Sequence, residues 1–179
     1  MGGDFYDAGL LKQVAVNLFY GWGYNFYRAE NQPRADDQLI RAKAASLLGQ
    51  AHASLDTAEQ TLRRERLPAP TREKPFPDPA AVQAVQAMER LSGRLGALAS
   101  RLHALPVPEN DRMTQRYRDE AQTLAALCAC DEQLIGLAET LRLMLDRKTP
   151  DEVLDQRATL EAGFAALEEA VRLRQNLLS

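Results

Sequence analysis

The sequence predicts an all-α protein, an elongated antiparallel up-and-down four-helix bundle with an additional N-terminal helix. Three observations predict it. Alanine and leucine occupy 28 and 27 of the 179 positions, and both lose little on entering a helix. Valine, isoleucine and threonine together supply only 17 residues, too few for a sheet-rich fold. The prolines cluster, and between the clusters run long proline-free segments with apolar residues three and four apart, the spacing of an amphipathic helix. The length suits one domain covering 1–179, and an apolar content of 45% is enough for a core.

The first element is a helix over residues 4–28. The second runs over about 33–66. Pro33 suits a first turn, and Asp36 and Asp37 lie near the positive N-terminal end. Arg63, Arg64 and Arg66 lie near the negative C-terminal end. Its apolar stripe reads Ile40, Ala44, Leu47, Ala51, Leu55, Ala58, Leu62. Residues 67–79, LPAPTREKPFPDP, hold five prolines and read as an extended, semi-rigid connector.

Asp78-Pro79 caps and opens a third helix over 79–105, with Val82, Val85, Met88, Leu91, Leu95, Leu98, Leu102 and Leu105 on its stripe. Pro106 and Pro108 end it. The fourth helix covers about 110–147, with Met113, Tyr117, Leu124, Leu127, Leu134, Ala138, Leu141 and Leu145. Thr149-Pro150-Asp151-Glu152 is a capped start for the fifth, over 150–178. Its heptad positions are Val153, Arg157, Leu160, Phe164, Leu167, Val171, Arg174 and Leu178. The short connections among the last three helices predict that consecutive ones are antiparallel neighbours.

Two arginines stand on that last seam. The expectation for Arg157 and Arg174 is that their stems are buried while their heads reach water; the alternative is pairing with carboxylates of another chain. Asp131 falls in a gap of the fourth helix's stripe, and the expectation is a place at the stripe's edge rather than in the core. Cys128 and Cys130, two apart on a helix, point to different sides and form no disulfide framework. Asp131 and Glu132 beside them disfavour a thiolate.

Composition and motifs exclude several classes. A net charge of −3 argues against a nucleic-acid partner. The most apolar window, residues 9–27, contains Lys12, Gln13, Asn17 and Asn25, which argues against a membrane span. With no basic stretch at the N-terminus, the expected location is cytoplasmic. A di-iron site needs Glu-x-x-His pairs, but Gly49 and Ser100 stand three before the two histidines, His52 and His103. No nucleotide fingerprint is present, and no cofactor or catalytic residue is expected. One metal-like spacing remains. His52, Asp56 and Glu59 share a helical face, and in a metal-dependent enzyme they would be the ligands. The plainer expectation is a solvated stripe without metal.

The aromatic residues are the uneven feature. Eight of the eleven, Phe5, Tyr6, Phe19, Tyr20, Trp22, Tyr24, Phe26 and Tyr27, fall in the first 27 residues. Counting levels through the connections brings Trp22, Tyr24, Arg41, His103, Met113 and Tyr117 to one end of the bundle, with Arg28 and Glu30 nearer the adjacent loop. The binding or interface residues are therefore expected to be Trp22, Tyr24, Tyr27, Arg28, Arg41, His103 and Tyr117. Tyrosine, tryptophan and arginine are interface anchors and also pocket walls. The plain alternative is a bundle-end core with tyrosine hydroxyls at the surface. The expected function is non-enzymatic, through contacts with a protein partner or a second copy as a homodimer. The alternatives are a small-molecule module that takes a small apolar or aromatic ligand at that end, and the metal-dependent enzyme.

Overall fold

A computed structural model describes residues 33–105 and 121–178. These residues form helices α1 (Pro33–Arg66), α2 (Pro79–His103), α3 (Ala121–Leu145), α4 (Pro150–Asp155) and α5 (Arg157–Leu178), and among them there is no strand. The helix expected over 4–28 and the first turns of the one expected from 110 lie outside the described residues. No described helix is long and apolar enough to cross a membrane.

Proline and capping chemistry set the boundaries. Pro33 opens α1, and Arg63, Arg64 and Arg66 occupy its last turn. The Asp78 carboxylate accepts from the Ala80 N–H at 3.1 Å at the head of α2, satisfying one of the donors that a helix start leaves over. Between α3 and α4 the chain reverses through Arg147, whose φ of 52° is left-handed. A full capping box follows. The Glu152 N–H donates to Thr149 Oγ1 at 3.3 Å, and the Thr149 N–H donates back to the Glu152 carboxylate at 2.9 Å.

Two stripes differ from the expected ones. On α1 the fully buried position is Leu48, while Leu47 packs at the edge of the core. The steps 40, 44, 48, 51 keep the face turned inward, which a step to 47 followed by 51 also permits, so spacing alone does not separate the two. The single helix expected over 150–178 is interrupted at Gln156, which ends α4. Its backbone bonds persist, with the Gln156 N–H on Glu152 O at 3.2 Å and the Leu160 N–H on Gln156 O at 3.0 Å. The short α4 packs on α1 and α2 as well as α5, and Arg66 at the end of α1 pairs with Asp151.

α1 packs against α2 and α3, and α5 against α3 and α2. α1 and α2 are antiparallel: His52 meets Ser92, and Arg41 meets Leu105. α3 and α5 are antiparallel through the turn at 146–149. α2 and α5 run in the same direction, since Arg94 meets Glu168 while Ala87 and Arg90 share a hollow with Arg157 and Glu161. The expectation that α2 and α3 are side-by-side neighbours is therefore corrected. They stand across from each other, and α3 lies between α1 and α5. The physical reason is the face of α3. Leu134, Ile135, Leu137 and Ala138 are all fully buried, a face wide enough to be covered by two helices at once. The core these helices enclose is aliphatic, with Phe164 its one aromatic among the described residues.

Candidate functional site

The structure describes two of the seven residues expected at the binding end. Arg41 is 5% exposed, and its Nη1 donates to the Leu105 carbonyl. That bond ties the start of α1 to the end of α2, where His103 stands exposed. Trp22, Tyr24, Tyr27, Arg28 and Tyr117 lie outside the described residues.

The metal-like trio separates. Glu59 pairs with Arg63 on its own helix, the Nε donating to Oε1 at 2.8 Å. His52 and Asp56 instead form a ring with a residue that the sequence did not single out, Ser92 of α2. His52 Nδ1 lies 3.3 Å from Asp56 Oδ2, His52 Nε2 lies 3.2 Å from Ser92 Oγ, and Ser92 Oγ donates to Asp56 Oδ1. Among the described residues no group of three histidine, cysteine or carboxylate side chains is placed to hold a metal ion.

Serine, histidine and aspartate in mutual contact invite comparison with a nucleophilic triad. The direction of the serine hydrogen bond and its place in the helix oppose it. A nucleophilic serine gives its proton to histidine. Here Ser92 Oγ donates to Asp56 instead. Ser92 also sits in the middle of α2, where backbone N–H groups already bond the preceding turn. That leaves no backbone pair to stabilise an oxyanion. The ring instead joins α1 to α2. Gly96 makes room for it, because a Cβ there would lie 2.9 Å from His52 Nε2. The sequence signal was the pair Ser92 and Gly96, small residues four apart on one face of α2, opposite the alanine-rich face of α1.

The second polar cluster is buried. Asp131 and Arg174 are 0% and 1% exposed, with Arg174 Nε donating to Asp131 Oδ1 at 2.5 Å. Both expectations are thereby corrected. Asp131 is in the core rather than at the edge, because it occupies the stripe position between Leu127 and Leu134. Arg174 does not carry its head to water and pairs within its own chain, because it faces that carboxylate from α5. Arg157 does reach the surface, where its Nε lies 3.4 Å from Glu161.

The two cysteines are free. Burial pushes the Cys128 thiol up to about 11, and the carboxylates of Glu132 and Asp131 add to the effect. Cys130 is also raised, first by burial and then by Asp131, with Arg174 opposing. A thiol held this way is a poor nucleophile near neutral pH.

Comparison of the chain with protein-family models, with curated proteins and with solved structures finds no match in any of the three.

Proposed function

We propose that this chain is a non-enzymatic four-helix-bundle protein that works through protein–protein contacts, as a homodimer. The observation that carries the reading is the crowding of eight of eleven aromatic residues into the first 27 positions. Aromatic side chains bring large contact area at low entropic cost and dominate interface energetics. Two further observations support it. The side chains of Ser92, His52 and Asp56 bond one another. Phe76, on the proline-rich connector, is 85% exposed and offers a second apolar contact point.

Light scattering of the full chain tests this reading. The expected mass is twice that of the chain, falling to the single-chain mass when Trp22, Tyr24 and Tyr27 are all replaced by alanine. Circular dichroism checks that the variant keeps its helices. A single-chain mass for the unaltered protein at every concentration overturns the homodimer.

A second reading rests on Arg41, a buried guanidinium at the end shared by α1 and α2. In it the aromatic end receives a small aromatic ligand, oriented by a few polar groups. Fluorescence of Trp22, the single tryptophan, separates the two. Saturable quenching by benzoate or indole with no change in mass supports the ligand reading, and an unresponsive emission removes it.

A further inference from the structure

The heptad seam of α4 and α5 carries one residue that neither the core nor the proposed contacts use. Val153, Leu160 and Phe164 are buried, but position 157 between them is an arginine whose side chain is half exposed. The helix is also interrupted next to it, at Gln156. A hollow of about 210 Å³ lies between α2 and α5, lined by Ala87, Arg90, Leu91, Arg94, Arg157 and Glu161.

Three arginines therefore line one small space. They are held differently. Arg94 is fixed by Glu168, with Nε and Nη2 within 3.2 Å of the carboxylate, and it lies 5.7 Å from the centre of the Phe164 ring. Arg157 has a single exposed contact with Glu161 at 3.4 Å, a kind of pair worth little in water. Arg90 makes no ion pair with any described residue. The space is smaller than the roughly 300–1,000 Å³ of sites that enclose drug-sized ligands, and its floor, Ala87 and Leu91, is apolar. A compact anion with several acceptor oxygens suits it. Guanidinium forks match phosphate oxygens geometrically and remain charged at any physiological pH.

We propose that this hollow is a binding site for a phosphate group, either free inorganic phosphate or the phosphate end of a small phosphomonoester. Arg90 and Arg157 grip the oxygens, and Arg94, anchored by Glu168 and Phe164, forms the fixed wall. Glu161 is the gate. It occupies Arg157 while the site is empty and must release it for the anion to enter.

Calorimetric titration of the full chain at constant ionic strength, with chloride as the background anion, provides the test. Inorganic phosphate and phenyl phosphate are the two probes, and tighter binding of one identifies the source. Saturable binding is expected in the micromolar to millimolar range. Arg90→Ala is expected to weaken it about tenfold, the scale of one lost charge-assisted hydrogen bond. Glu161→Gln is expected to strengthen it several-fold, because a competing carboxylate is removed. Arg172→Ala, an exposed arginine paired with Glu169 on α5, is the control and is expected to change nothing. Arg90 is exposed, so its removal leaves the helices intact, as circular dichroism will verify. No saturable heat up to about 10 mM of either probe overturns the proposal. So does equal weakening by Arg172→Ala, which would mean general charge attraction, or a Glu161→Gln variant that binds no better than the unaltered chain.

Discussion

Two polar clusters interrupt the apolar stripes of this protein, and they sit in opposite surroundings. Between α3 and α5, Asp131 and Arg174 are sealed from water, at 0% and 1% exposure. Between α1 and α2, His52 and Asp56 are 34% and 41% exposed, with only Ser92 drawn inward. Both clusters join two helices through charge and hydrogen bonds. They differ in what replaces a lost partner. At the α1–α2 ring, water takes the vacated position. At the α3–α5 pair water has no access, and a charge that loses its counter-charge there bears a large desolvation cost. The same chemical motif is thus a modest fastening in one place and a stringent requirement in the other.

Removing half of the buried pair gives the largest expected effect. Arg174→Ala removes a buried counter-charge of Asp131 and is expected to cost about 3–5 kcal/mol in urea or thermal unfolding. The sharper experiment replaces both. Asp131→Leu with Arg174→Met removes the charges and keeps the apolar volume, and its stability is expected to return to within about 1 kcal/mol of the unaltered protein or to exceed it. A double variant as weak as the single one would mean that the pair contributes directly to stability, and the contrast between the two clusters would then not be one of desolvation.

This pair also marks where the sequence stopped being legible. Helix boundaries could be read because proline and capping residues act locally: Pro33, Asp78-Pro79 and Thr149-Pro150 begin α1, α2 and α4 where expected. Asp131 and Arg174 were each visible as polar residues on an apolar stripe, yet nothing local joined them. Level counting from the turn, with Leu145 opposite Pro150, sets Asp131 opposite Phe164, ten residues short of Arg174. The missing information was α4. α4 packs toward α1 and α2 as well as α5, so a count along one straight helix does not carry over to α5. The α1–α2 ring was half legible. His52 and Asp56 were readable as residues of one face, but they were assigned to a metal or to solvent. Their partner came from another helix, through a close approach that only Gly96 permits. The parallel pairing of α2 with α5 was not legible either, since connection length does not fix which of two positions the next helix takes.

The exposed ring gives effects of intermediate size. Ser92→Ala is expected to cost about 1 kcal/mol, because His52 and Asp56 turn to water. Gly96→Ala separates two opposing terms. Alanine in mid-helix is worth roughly 1 kcal/mol over glycine, but its Cβ would lie 2.9 Å from His52 Nε2, so the ring must swing out and leave Ser92. The net change is expected to be near zero. In a His52→Ala background the obstruction is gone, and Gly96→Ala should stabilise by the full propensity term. A double-mutant cycle by thermal unfolding reads the coupling directly. Equal effects of Gly96→Ala in both backgrounds would show that the ring does not constrain the approach of α1 and α2.

A third fixture extends the comparison to a half-exposed case, with pH as the lever. Glu152 receives the Thr149 N–H and hydroxyl, each at 2.9 Å, and the Lys148 ammonium at 3.1 Å. The Thr149 N–H contributes most to holding its carboxyl down at about 2, against an ordinary 4.5. A carboxylate whose folded pKa is lowered stabilises the fold above its unfolded value and loses that contribution as pH falls. The stabilisation by Glu152 should therefore be complete above pH 4.5 and should fade between 4.5 and about 2. Glu152→Gln keeps a side chain able to accept the Thr149 N–H but removes the titrating charge. Its melting temperature is expected to lie slightly below that of the unaltered protein above pH 5 and to converge with it near pH 2. The difference should also shrink in high salt, since the charge-dependent part acts in water and is screened. A gap that stays constant across this window, or a Glu152 carboxyl that titrates near 4.5 by NMR, would show that the capping box acts through hydrogen-bond geometry alone. Exposure would then not be what sets the size of a polar contact in this protein.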